Sequence, residues 1–155
     1  MSIEGRLAKL GLQLPSPPRA AGSYRPTLLS GGLLFISGQV PFSNGELQYR
    51  GRVGAELSEA EGGAAARLAA LNVLAQINAA LSGFDRLVSL LRVEGHVSSA
   101  PHFTDQPRVL DYASELFNEV LGDKGAHTRA AFAAPQLPLG ASIELVVTAA
   151  VTTPY

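Results

Sequence analysis

With 155 residues, 46% of them apolar and only 16% charged, the chain can bury a substantial core and is too apolar for intrinsic disorder. A formal net charge of -1 and a pI near 6.3 provide no general attraction to nucleic acid, and the arginines are scattered. Zero cysteines exclude disulfides, thiol nucleophiles and thiolate metal sites, which fits a cytoplasmic protein.

The pattern predicts one domain over 1–155, with residues 1–20 forming a short helix and an extended lead-in. Ile3, Leu7 and Leu10 have helical spacing, and Gly11 stops the run. The proline-rich LPSPPRAAGSYRP must then run extended. Leu33 to Gly38 read as a strand covered on both faces, and Asn44-Gly45 as a hairpin turn leading toward Tyr49 and Val53. Ser58 with Glu61 forms a capping box for a helix reaching Leu81, with Ala64, Leu68, Leu71, Leu74, Ala75 and Leu81 expected along its apolar face.

Leu87, Ser89, Leu91, Val93, Gly95 and Val97 alternate with more polar residues and predict a long strand. Pro107 suits the first turn of a second helix, which ends at Gly122. Ile143, Leu145, Val147, Ala149 and Val151 then share one face of a last strand, with Glu144 on the other. The order predicts an α+β layer, a mixed sheet with two main helices on one face. The uncovered face is expected to meet another subunit. No apolar run of 18 residues and no basic start before an apolar stretch is present, which argues against membrane insertion and secretion.

Chemistry concentrates near the end. HTRAAFAA and ASIELVVTAAV flank APQLPLG, so folding the flanks into a hairpin would set Arg129 and Glu144 opposite each other. Arg129 reads either as an anchor for a small carboxylate or as a structural partner of Glu144. Glu144 would orient a water, receive the arginine or satisfy backbone groups. His127 reads as a general base or as a hydrogen-bonded loop histidine. His96 and His102 lack ligand spacing, so no metal is expected, and no nucleotide loop or hydrolase elbow is present. No organic cofactor is expected either.

Several segments together resemble the Rid family, the reactive intermediate deaminases also labelled YjgF-like or L-PSP endoribonucleases. They are Ala21-Gly22-Ser23-Tyr24, Leu34 to Pro41 with its Ser37-Gly38-Gln39, and Arg129, Leu137-Pro138 and Ile143-Glu144. The N-terminal helix region, Ile3 to Leu14, and the Gly125-Ala126-His127-Thr128-Arg129 stretch resemble a longer branch of that family. The resemblance implies a chorismate-mutase-like fold and a homotrimer with ligand clefts between subunits. It also implies that Arg129 binds a substrate carboxylate while Tyr24, Ser37 and Glu144 line the cleft. Ala131 stands where standard deaminating members often carry cysteine, and their asparagine early in the second helix has no clear counterpart near Leu110 or Asp111. The expected function is hydrolysis of small carboxylate-bearing enamines or imines to 2-oxo acids and ammonia. The rival is a non-catalytic carboxylate binder using the same cleft, and endoribonuclease activity has the least support.

Overall fold

The structure, a computed structural model, describes residues 1–154. Helix α1 (Ile3–Lys9) precedes strands β1 (Thr27–Ser30) and β2 (Leu33–Gln39) and the small hairpin β3 (Phe42–Ser43) and β4 (Glu46–Leu47). Helix α2 (Glu59–Leu81), strand β5 (Leu87–Ser98), helix α3 (Gln106–Leu121), strand β6 (Thr128–Ala134) and strand β7 (Ile143–Val151) complete the chain. Local chemistry sets several boundaries. Ser58 and Glu61 form the full capping box at the start of α2, and Ser82 ends that helix in the left-handed region. Asn44 and Gly45 both adopt positive φ, as a tight hairpin turn requires.

One five-stranded sheet runs in the order β1-β2-β7-β5-β6, with β3 and β4 forming a separate pair. The expected terminal hairpin is absent. Strand β5 lies between β6 and β7, pairing parallel with β6 and antiparallel with β7. Parallel strands need a crossover, and α3 supplies it, so β5-α3-β6 is a βαβ unit and the APQLPLG turn only redirects the chain.

Both long helices cover one face of the sheet. Ile143, Leu145, Val147, Ala149 and Val151 of β7 point into that core, as their alternation predicts. In β5 the simple alternation fails: irregularities beside Ser89 and Leu91 shift the phase, so Leu90 is buried and Leu91 exposed. The buried face of α2 matches the expected one at Leu74, Ala75 and Leu81 and differs from it in the first half of the helix. Gly62, Ala65, Ala66, Ala69, Ala70 and Val73 face the core, whereas Leu68 and Leu71 lie at its rim. Small residues win because α3 approaches closely: a Cβ on Gly63 would sit 2.6 Å from the Tyr112 ring. Helix α2 is long and apolar enough to cross a membrane by length and composition, yet 61% of that stretch is buried inside the protein. Here it serves as the core helix.

Candidate functional site

The expected site residues fall into two groups that one chain keeps apart. The first surrounds a concave cavity of about 350 Å³ between the extended lead-in, the end of β2 and the start of β7. Tyr24, Gly38, Gln39, Leu139 and Glu144 are among its walls. The ladder between β2 and β7 shifts register between Ile36 and Gln39, which places Ser37-Gly38 at an irregularity beside Glu144. Gly38 is required there. A Cβ at this position would lie 2.8 Å from the Glu144 carboxyl carbon, so any side chain would push the carboxylate aside. Among the described residues the Glu144 carboxylate has no hydrogen-bond partner, which leaves its oxygens available to the cavity.

Tyr24 is 52% exposed at the mouth, and its hydroxyl accepts the Ala21 N–H at 3.2 Å. Ser37 does not line the cavity: its hydroxyl donates to the Arg25 carbonyl at 2.7 Å, tying β2 to the lead-in. Two glutamines, which the sequence reading did not select, hold the wall. Buried Gln76 donates to the Pro18 carbonyl at 2.7 Å and to Gln39 Oε1 at 3.3 Å. Gln39 in turn donates to the Ser37 carbonyl at 3.0 Å. Leu139, also in the lining, is a non-glycine residue with φ 65°, and its carbonyl accepts from Arg50 Nη1 at 2.8 Å. Left-handed backbone at leucine costs about 1 kcal/mol or more, so surrounding contacts must hold it.

The second group lies on edge strand β6 and helix α3. Arg129 is level with Val93 of β5 and Glu144 with His96, so the two are not cross-strand partners. They also occupy opposite faces. Arg129 reaches toward α3, while Glu144 projects from the open face that carries the stacked pair His96 and Phe132. Nη1 of Arg129 meets Asp111 Oδ1 at 2.8 Å and Ser114 Oγ at 3.2 Å, and Nη2 donates to the Pro107 carbonyl at 3.3 Å. Asp111 is thus the arginine's carboxylate partner in the chain, and Glu144 is not.

His127 precedes β6 and supports this arrangement. Its Nδ1 lies 2.6 Å from the Gly125 carbonyl, which can only accept, so Nδ1 carries the proton in the neutral ring. Nε2 then accepts from the Ser114 hydroxyl at 2.9 Å, freeing a Ser114 lone pair for Arg129. The ring also meets Phe117 edge-on at 5.9 Å between centroids. Both nitrogens are committed, so His127 holds α3 to the start of β6. Ser114, Asn118, Ala126, His127 and Arg129 line an open depression here. Ala131 packs against the core on the helix-covered face and does not line either cavity. Ser114 could have been found only through helical spacing toward Asp111 and Pro107, a signal without meaning until β6 is known to lie beside α3. Among the described residues no cluster of three or more metal-ligating side chains exists.

Comparison with known proteins decides the family. Residues 4–151 match the family described as "YjgF/chorismate mutase-like, putative endoribonuclease". The chain belongs to this family. It is 38% identical over 144 residues to Protein TCP17 of Trypanosoma cruzi, covering 92% of this chain and 90% of that one. A crystal structure of a protein of unknown function from Agrobacterium tumefaciens is similar at 40% identity and a TM-score of 0.90, covering 97% of this chain and 92% of the other. A protein from Shewanella oneidensis named a putative endoribonuclease gives 36% identity and a TM-score of 0.94, covering 97% and 100%. Escherichia coli TdcF with bound serine shares the fold, at 21% identity and a TM-score of 0.66 over 88% of this chain and 94% of that one.

Proposed function

We propose that this YjgF-family chain hydrolyses small carboxylate-bearing imines, and their enamine tautomers, to 2-oxo acids and ammonia in a cleft shared between two copies. The observation that carries the reading is the unpaired Glu144 carboxylate, held over Gly38 in the wall of a largely apolar cavity. A carboxylate there can accept a proton from an attacking water. Water adds to C2 of the iminium as Glu144 takes one of its protons and passes it to the nitrogen; Glu144 then takes the remaining hydroxyl proton as the C2–N bond breaks, and that proton leaves with the ammonia as ammonium. Such imines already react with water, so positioning and modest electrostatic help suffice. Tyr24 closes the cavity mouth. No metal or organic cofactor enters this chemistry.

The substrate carboxylate requires a cation, and Arg129 lies on the edge strand, where an adjoining copy can meet it. A homotrimer that sets the Arg129 edge of one copy against the Tyr24–Glu144 cavity of the next completes each cleft and covers the apolar side chains Phe35, Val88 and Phe132. TdcF, which has the same fold, was crystallised with serine, a molecule of the proposed size and charge. The cytoplasm, where such intermediates arise from amino acids, suits this role.

The test adds purified protein to freshly generated 2-aminoacrylate and follows ammonia. Faster release than in buffer, lost in both Arg129→Ala and Glu144→Gln, is expected; release at the buffer rate would refute hydrolysis. A second reading, binding without turnover, draws support from the Arg129–Asp111 pair, which already neutralises the anchor. It predicts a ligand-induced rise in melting temperature without ammonia. Ribonuclease action has neither a basic surface nor a paired general acid and base behind it.

A further inference from the structure

We infer that Asp111 makes the Arg129 anchor selective for zwitterions, molecules bearing a cationic nitrogen beside the carboxylate. The inference rests on the reading of Arg129 as the carboxylate anchor and adds a substrate class to it. The donor count of the guanidinium shows how both groups fit. Three of its five N–H groups are used, two from Nη1 on Asp111 and Ser114 and one from Nη2 on Pro107. The Nε–H and one Nη2–H have no partner among the described residues. Nε and Nη2 share one edge of the guanidinium, so a carboxylate can bond both while Nη1 keeps Asp111, sharing Nη2 with the Pro107 carbonyl.

Among the described residues Asp111 bonds through Oδ1 alone, and its side chain is 53% exposed, so Oδ2 is an open acceptor beside the anchor. The pair has no net charge. A plain anion arriving at Arg129 therefore meets Asp111 repulsion as well as arginine attraction, whereas an iminium or ammonium on the ligand turns that repulsion into a second contact. In the proposed reaction the substrate carries this cation and the 2-oxo acid product does not. The same aspartate thus favours substrate entry and product departure.

The Ser114–His127 relay keeps the anchor in register by fixing Nη1 from the other side, so removing Asp111 leaves the guanidinium with a second tether. A charge-neutral replacement can then report selectivity without loss of the anchor.

Calorimetric titration with L-serine and with glycerate, which differ at C2 only by ammonium against hydroxyl, tests the inference on the assembled protein. Wild type should favour serine by about tenfold, the span that one charge-assisted contact provides. Asp111→Asn should remove most of that preference, with glycerate binding unchanged or tighter, and Arg129→Ala should lose both ligands. Asp111→Glu should recover part of the serine preference, and melting curves show whether each variant is folded. Equal wild-type affinities, equal weakening of both ligands in Asp111→Asn, or no binding of either ligand would overturn the inference. Serine preference in a protein that releases no ammonia leaves the inference standing and removes hydrolysis. Hydrolysis without serine preference does the reverse.

Discussion

The two halves of the candidate site are built on opposite physical plans. Around Glu144 the chain creates space: a glycine withdraws, a strand pairing breaks step, and a carboxylate has no partner among the described residues. Around Arg129 it fills hydrogen-bonding positions, with Asp111, Ser114 and Pro107 taking three of the five guanidinium N–H groups and His127 holding Ser114. A group left unsatisfied at a cavity wall suits chemistry, because a reacting water can be its first partner. A group held by three neighbours suits recognition, because its direction is set before the ligand arrives.

Breaking the open half should have the largest effect. Gly38→Val drives a side chain into Glu144; a loss of about 1–3 kcal/mol in stability is expected, together with loss of ammonia release. Thermal melts and the 2-aminoacrylate assay read both, and retained activity would show that Glu144 does not need its present position. Next comes Arg129→Ala, for which a fall in kcat/KM of about 10- to 100-fold is expected, the worth of a charged hydrogen-bonded contact. A drop confined to melting temperature would instead make Arg129 a structural partner of Asp111.

His127→Ala sharpens the filled half. It removes two hydrogen bonds and the edge contact with Phe117, so chemical denaturation should register about 1–2 kcal/mol. If His127 only positions, KM rises while kcat is kept; an equal fall in kcat and kcat/KM would mark it as a participant in the reaction. The smallest change is expected from Ser37→Ala, at most about 1 kcal/mol of stability through the lost bond to Arg25, with ligand affinity unaltered. Altered serine affinity in that variant would return Ser37 to the cleft.

Much of this molecule is legible in its sequence where one signal acts alone. Strand β7 alternates without interruption and is read correctly, as are the Ser58 cap and the Asn44-Gly45 turn. The fold follows from the order of elements. The pairing of β6 does not follow from the turn beside it, since Pro135, Pro138 and Gly140 signal a change of direction and name no partner strand. The informative pattern was the strand-helix-strand order of β5, α3 and β6, which favours parallel pairing through a crossover. That single difference moved Arg129 from Glu144 to Asp111. Tyr24 and Glu144 do line one cavity; Ser37, Ala131 and Arg129 lie outside it, and Ser37 and Ala131 have structural surroundings in the chain. Gln39, Gln76 and Ser114 escape sequence reasoning because their roles depend on partners far along the chain.

The central claim is that each working cleft takes Arg129 from one copy and Glu144 from another. Arg129→Ala and Glu144→Gln chains, each strongly impaired alone, are unfolded, mixed and refolded together, and ammonia release from 2-aminoacrylate is measured. Shared clefts predict that the mixture regains a fraction of wild-type activity, because some interfaces then pair an intact Arg129 with an intact Glu144. Inactivity in a mixture shown to contain both chains in one assembly would contradict the account.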